Sequence, residues 1–362
     1  MDKKILFVSI GALTSGGAER VLSVLSKPFA DSFDRVDYII WRSLPVFYEI
    51  DKRVKIVDLE ALSGSRNTIK KMWWFRKYVQ NNHPNLVLSF LYPWSMRVIP
   101  SLFFTRTRVV VAERLDGRIV VGGKTVRLIR DLLYLNAHGI LVQTEENIGY
   151  YLKPLRKKIV TIYNPVIMDE IYLGSGLNTL KNDLIVSVGR LHEQKNHEML
   201  IDAFAGFYKS HHNYRLVIYG EGENKENLMK RAEDLGISES VSLPGAIKDV
   251  FPKIGQARIF VLSSNYEGMP NVLIEAMCVG LPCITTKVSG TKELIKNGEN
   301  GILVNIGDAK GLERAIEKVA DNKMLADKLA HNAVKIYQIV NRDKIQLDWI
   351  NYINGIIDSP NA

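Results

Sequence analysis

Long apolar runs are absent from this 362-residue chain, and cysteine is nearly so. No stretch reaches the roughly 18 apolar residues that a bilayer-spanning helix needs, so no spanning segment is expected. The opening MDKKILFVSIGALTSGGAER has the two lysines and apolar stretch of a secretion leader. It runs on into GGAERVLSVLSKPF, the start of an amphipathic helix, so a first buried strand is expected there and not a cleaved leader. The two cysteines, Cys278 and Cys283, lie too close to staple a fold and match no metal spacing. They are expected to be buried, reduced thiols in a cytoplasmic protein. Low-complexity segments and short-period repeats are also missing.

Acidic residues are scarce in one half only. Residues 1 to 165 hold 26 Lys and Arg against 14 Asp and Glu, whereas residues 166 to 362 hold 22 against 25. The overall charge of +9 is therefore concentrated in the first half. A basic half suits phosphate-rich or anionic-membrane partners, or simply a solubilising surface.

What is present is strand–helix alternation. KILFVSI (4 to 10), RVDYII (35 to 40), NLVLSF (85 to 90), RVVVAE (108 to 113), GILVQ (139 to 143) and KIVTIY (158 to 163) read as buried strands. Helical patterns near 18 to 30, 67 to 82 and 124 to 136 separate several of them. The second half repeats the scheme with strands at 183 to 189, 214 to 220, 240 to 245, 257 to 264, 282 to 286 and 301 to 304. Helices are expected there near 196 to 210, 223 to 235, 271 to 279 and 308 to 320. Such alternation builds parallel sheets covered on both faces. The expected fold is α/β, with two Rossmann-like domains joined near 164 to 182 and facing a central cleft. Ligands of such sheets bind beyond the C-terminal strand ends, where helix N-termini gather.

The motifs fall at those strand ends. SIGALTSGGAER places Gly16 and Gly17 where backbone can approach a ligand, or where a plain turn is made. Its spacing is not that of a nicotinamide dinucleotide site, and no acidic residue ends the second strand. SVGRLHEQKN projects Arg190 and Lys195 from one loop, placed to clamp a diphosphate or to be solvated. PGAIKDV, with Ile247, follows another strand and can contact a base or ribose. In NYEGMPNVLIEAM, Pro270 suits the start of a helix whose free N–H groups at Asn271, Val272 and Leu273 can hold a phosphate. Glu267 precedes them in the loop beside Met269, and Glu275 lies about one turn in. A carboxylate among apolar helix residues is costly unless something binds it. Together the two can bracket a phosphate, one accepting hydrogen bonds from a sugar ring and the other from a ribose diol.

These residues resemble those of a known family. R190-L-H-E-Q-K195-N with E267-G-M-P-N-V-L-I-E275 resembles the retaining GT-B glycosyltransferases of family 4, which use nucleotide sugars. The Gly-Gly-Ala-Glu loop, Asn164-Pro165 and G290-T-K-E293-L are similar as well. The resemblance implies that Arg190 and Lys195 bind the donor diphosphate, Glu267 the donor sugar and Glu275 the ribose, with Gly16, Gly17, Met269, Pro270, Asn271, Val272 and Ile247 lining the donor site. It implies an acceptor-binding domain over 1 to 165, completed by a final helix in 345 to 362, and a nucleotide-sugar domain over 180 to 344. Many members carry a cleft histidine where this chain has Arg114; Glu113 and Arg114 are expected near donor or acceptor, without a histidine's role. No D-x-D triplet occurs, so no metal and no cofactor are expected beyond the donor, a UDP-sugar in this reading.

SGGAERVL, LSFL (88 to 91) and VAER are similar to bacterial enzymes that extend lipid-linked glycans, capsules and O-antigens, of the N-acetylgalactosaminyl transferase type. In GSRNTIKKMWWFRKYVQNN (64 to 82), Arg66, Lys70, Lys71, Arg76 and Lys77 surround Trp73, Trp74 and Phe75. Positions 66, 70, 73, 74 and 77 share one helical stripe. Basic and aromatic residues together suit a membrane headgroup layer and an acceptor pyrophosphate. Lys124, Arg127 and Arg130 form a second basic row. The expectation is thus a glycosyltransferase acting on a lipid-linked saccharide, cytoplasmic and peripheral at the inner face of the plasma membrane, with no nucleic-acid partner. The alternatives are a sugar- or nucleotide-binding protein without turnover, or an epimerase or phosphorylase of the same architecture.

Overall fold

The structure is a computed structural model describing residues 3–14, 16–118, 120–177 and 182–359. The last part of the expected linker, 178 to 181, lies outside the described residues. The chain divides into two compact units, Met1–Pro165 with Arg342–Ala362, and Val166–Asn341.

The first unit holds a seven-stranded sheet of parallel neighbours. Its strands are β1 (Ile5–Ile10), β2 (Arg35–Ile40), β3 (Lys55–Asp58), β4 (Leu86–Phe90), β5 (Arg108–Ala112), β6 (Gly139–Val142) and β7 (Ile159–Thr161), in spatial order β3-β2-β1-β4-β5-β6-β7. Side chains alternate between two cores, Leu6, Val8 and Ile10 on one face and Phe7 on the other. β3 was not anticipated: it is a four-residue edge strand with Lys55 and Ile56 exposed, too short and too polar to stand out. The helix Tyr92–Ser101 was also missed, because Pro93 and Pro100 interrupt its pattern.

The final helix, Arg342–Asp358, belongs to this first unit. Ile345, Trp349, Ile353 and Ile357 recur every fourth residue and enter the core, where Trp349 stacks on Phe90 at 5.7 Å and meets Phe29 edge-on. On the opposite sheet face lie the helices Thr68–Asn82, Tyr92–Ser101 and Gly123–Tyr134, which pack side by side and contribute Phe75, Val79, Val98 and Tyr134 to the second core.

The second unit holds six parallel strands, β8 (Leu184–Val188), β9 (Arg215–Tyr219), β10 (Val241–Gly245), β11 (Ile259–Leu262), β12 (Cys283–Thr286) and β13 (Ile302–Val304), in order β10-β9-β8-β11-β12-β13. In each sheet the chain winds outward, returns to the middle and winds the other way. The reversal lies between β1 and β4 in one and between β8 and β11 in the other. At such reversals adjacent loops diverge and leave a crevice. Among the described residues no helix is long and apolar enough to cross a membrane.

Candidate active site

In the second unit the loops after β8 and β11 meet across the strand-order reversal. After β8 the chain runs to a single 3-10 turn, Glu193–Lys195. Asn196 follows in the left-handed region at φ 46°, and its side chain caps the helix His197–Tyr208 by accepting from the Met199 N–H. After β11 comes Ser263 to Gly268. The Asn265 N–H donates to the Gln194 carbonyl at 2.8 Å, and its Nδ2 donates to the Glu193 carbonyl at 2.9 Å. The Ser263 hydroxyl donates to the Lys195 carbonyl at 2.9 Å. The two loops are thus one hydrogen-bonded unit.

Its centre is an ion pair. Lys195 Nζ donates to Glu267 Oε1 at 2.6 Å, and the Ser264 hydroxyl donates to the same oxygen at 2.7 Å. Gln194 joins the remaining groups: its Nε2 donates to the Tyr266 carbonyl at 3.1 Å and toward Glu267 Oε2 at 3.4 Å, while its Oε1 accepts from Arg190 at 3.3 Å. Glu267 is only 6% exposed, and a carboxylate so buried requires such partners. Arg190 is exposed at the mouth. The structure therefore brings Arg190, Lys195 and Glu267 together. Gln194 and Ser264 were not singled out from the sequence, although Gln194 stands inside a quoted motif and Ser264 immediately precedes another.

Glu275 lies on the helix Asn271–Val279, buried on every residue from Leu273 onward, and is itself 3% exposed. Burial, reinforced by the Glu275 charge, pushes the Cys278 thiol up to about 12; Cys278 and Cys283 are free and buried. Pro270 is the residue just before this helix. The Leu273 N–H, expected to be open to a ligand, donates instead to the Pro270 carbonyl at 3.1 Å. Met269 is buried, Asn271 and Val272 are partly exposed, and Ile247 is half-buried in the loop after β10. The end of β12 and the short helix after it, Ser289–Leu294, brace the site: Thr286 Oγ1 donates to the Ser264 carbonyl, and the Gly290 backbone lies against residues 268 and 269. A Cβ on Gly290 would come within 2.0 Å of the Gly268 carbonyl oxygen, so only glycine permits this approach. His197, buried beside Lys195, has its pKa pushed down to about 3 by burial and is neutral.

The first unit holds the other expected residues. Gly16 is the cap residue and Gly17 the first residue of the helix Gly17–Ser32; beside them burial raises the Glu19 pKa. Glu113 and Arg114, expected near donor or acceptor, turn inward. Glu113 is 2% exposed and accepts from the Tyr134 hydroxyl, and burial raises its pKa. Arg114 donates to the Ile162 carbonyl and Asn164 Oδ1 and lies over the Trp349 ring at 4.7 Å. Burial pushes its pKa down to about 9, so it remains charged at neutral pH.

The basic helix Thr68–Asn82 also departs from expectation. Lys71 is buried, donating to the Trp41 carbonyl at 2.7 Å and pairing with Glu60, because it shares the inward row of Phe75 and Val79. Arg76 is half-buried and donates to the Ser101 and Phe103 carbonyls. Arg66 pairs with Glu60. Lys70, Trp73 and Lys77 do face solvent, with Lys77 over both indoles at 5.1 and 5.2 Å. In the second basic row, Arg130 is fully buried and bonded to Asp131. Among the described residues no group of three or more His, Cys, Asp or Glu is arranged to hold a metal ion.

Residues 173–336 match the family described as glycosyl transferases group 1. A Campylobacter jejuni α-1,4-N-acetyl-D-galactosaminyltransferase, named for a GalNAc-containing diNAcBac-PP-undecaprenol, is 27% identical over 97% of this chain and 98% of its own. The amylovoran biosynthesis glycosyltransferase AmsD of Erwinia amylovora is 24% identical over 97% of this chain and 99% of its own. Among solved structures, Anabaena Alr3699/HepE in complex with UDP superposes with a TM-score of 0.80 at 18% identity, covering 97% of this chain and 100% of that one. The fold is therefore GT-B, and the second unit is a group 1 glycosyl transferase domain.

Proposed function

We propose that this chain, with its group 1 glycosyl transferase domain at 173–336, is a retaining glycosyltransferase of family 4. It moves a hexose or N-acetylhexosamine from a UDP-sugar onto a lipid-linked saccharide in bacterial surface-glycan synthesis. The observation that carries the reading is the Lys195–Glu267 pair at the β8/β11 reversal, with Arg190 joined to it through Gln194. Two cations beside a buried carboxylate match a ligand that is anionic at one end and rich in hydroxyls at the other. An arriving diphosphate competes with Glu267 for Lys195. The carboxylate so released accepts hydrogen bonds from the sugar, while Glu275 accepts them from the ribose.

The acceptor hydroxyl oxygen bonds to the anomeric carbon on the face from which the diphosphate departs. The bond to the diphosphate breaks with its electron pair, and the hydroxyl proton passes to a phosphate oxygen. Arg190 and Lys195 stabilise the leaving charge, so the protein contributes position and electrostatics and no metal is invoked. The relatives named for a PP-undecaprenol-linked saccharide and for amylovoran biosynthesis support the acceptor class, as do the basic first half and the exposed Lys70, Trp73 and Lys77. The protein would work at the cytoplasmic face of the membrane.

The test is incubation with UDP-, GDP- and ADP-sugars and a lipid-linked saccharide, with NMR of the product. Acceptor-dependent UDP release and an α-linkage from an α-donor are expected. A β-linked product removes the retaining assignment; nucleotide binding without release from any donor leaves a binding protein.

A further inference from the structure

The helix Gly123–Tyr134 is partly inverted: Tyr134 enters the core with Val126 and Leu133 against it, but a second apolar row faces out. A surface helix of a globular protein ordinarily turns its apolar stripe to the core and its charges to water. Here Arg130 and Asp131 are 0% and 3% exposed, whereas Leu128, Leu132 and Leu135 are 51%, 51% and 41% exposed. The three leucines stand at i, i+4 and i+7 and form one outward row, with Val121 at its start 83% exposed. The inversion is stable because the inner face is furnished for charge. Arg130 donates through Nε and Nη2 to Asp131 and lies over the Tyr151 ring at 4.3 Å, and the second Asp131 oxygen accepts from the Leu152 N–H.

Beside the row lies an open groove of about 370 Å³ lined by Lys124, Arg127, Leu128, Leu152, Lys153 and Arg156, among others. Its one acid is Asp131, already spent on Arg130. Arg156 is held by the Gly149 and Tyr151 carbonyls; Lys124, Arg127 and Lys153 make no side-chain hydrogen bond or ion pair among the described residues. Beyond the intervening helix Tyr92–Ser101, the helix Thr68–Asn82 covers the same sheet face, and its own exposed residues include Ile69 and Trp73.

We propose that the outer face of Gly123–Tyr134 is a docking surface for an anionic lipid bilayer. Leu128, Leu132 and Leu135 enter the acyl boundary, and Lys124, Arg127 and Lys153 meet lipid phosphates. A leucine row flanked by cations is what an interfacial helix needs, and charge decides the occupant: a second copy would set this cationic groove against itself. The inference rests on the lipid-linked acceptor reading and adds a contacting element, the outer face of this helix.

The test uses the full chain in flotation with vesicles of phosphatidylcholine alone and with equal phosphatidylglycerol. Wild type is expected to favour the anionic vesicles by roughly tenfold or more, and Lys124→Glu with Arg127→Glu to abolish that preference. Leu128→Gln with Leu132→Gln, both on exposed positions, should lower binding by roughly tenfold or more in low and in high salt alike, because apolar insertion is not screened. Transfer to a lipid-linked acceptor should fall in parallel in both variants, while donor hydrolysis stays at the wild-type rate. Wild-type vesicle binding in either double variant overturns the proposal. So does sedimentation showing that the leucine variant converts a dimer to a monomer, which makes a second copy the occupant. Vesicle binding is read without any donor, so a failure of the glycosyltransferase reading shows separately, as absent turnover in wild type.

Discussion

The two strand-order reversals are closed by different materials. At β8/β11 the closure is ionic: Lys195 and Ser264 on one Glu267 oxygen, with Gln194 between the loops. At β1/β4 it is aromatic. Trp94 lies so close to the loop after β1 that a Cβ on Gly11 would come within 2.4 Å of its ring; it stacks on Trp41, whose Nε1 donates to Ser9 Oγ at 2.8 Å. An ion pair can exchange one partner for a ligand of like charge, whereas packed rings offer shape and exchange nothing. The same sheet topology therefore gives a charge-handling crevice in one unit and a rigid wall in the other.

The sharpest way to break this comparison is Lys195→Met. It leaves the Glu267 carboxylate buried and unpaired, which costs about 3–5 kcal/mol in thermal or denaturant unfolding, and it should lower turnover more than a hundredfold, roughly. Adding Glu267→Gln should restore most of the stability and none of the turnover. Recovery of both, or of neither, would mean that the pair does not act as described.

Glu267→Gln alone should lower turnover roughly ten- to a hundredfold without weakening UDP, since Lys195 loses its competing partner; Glu275→Gln should weaken UDP and donor together by about tenfold. Calorimetry and initial rates separate the two. Near-normal turnover in both variants removes the assignment.

Smaller effects come from glycine. Gly290→Ala drives a Cβ into the Gly268 carbonyl and Gly11→Ala drives one into Trp94, so each should destabilise its unit by about 1–3 kcal/mol. Only Gly290→Ala should also weaken UDP binding. Equal loss of nucleotide affinity in both variants would erase the distinction between the two closures.

The smallest effect is a pH slope. The folded pKa of His197, about 3, lies below its ordinary 6.5, so the unfolded chain binds the extra proton. The second unit is therefore most stable above 6.5 and weakens as pH falls toward 3, losing about 1 kcal/mol one unit below 6.5. His197→Phe should flatten this slope in pH-dependent unfolding.

Much of this was legible along the chain. Strand–helix alternation gave the β1, β2, β4–β7 and β8–β13 positions to within a residue or two, because parallel strands are apolar on both faces and stand out. The Arg190, Lys195 and Glu267 motifs were visible because charge at strand ends is unusual in an otherwise apolar pattern. Lys71 was misplaced although its row, Lys71–Phe75–Val79, already pointed inward; the surrounding cations drew it into the surface set. Gln194 and Ser264 were unassigned because a neutral amide or hydroxyl carries no local sign of what it will bond.

The sequence by itself determined the sheets, their order of construction and the residues able to carry charge at their ends, since these depend on periodicity and on the few residues between strand and helix. Only the tertiary structure decided which charges face inward. Glu113, Arg114, Lys71 and Arg130 are buried because partners distant in sequence meet them there: Tyr134, Trp349, Trp41 and Tyr151. A buried charge is tolerated only where such partners converge, and that convergence exists only once the chain has folded.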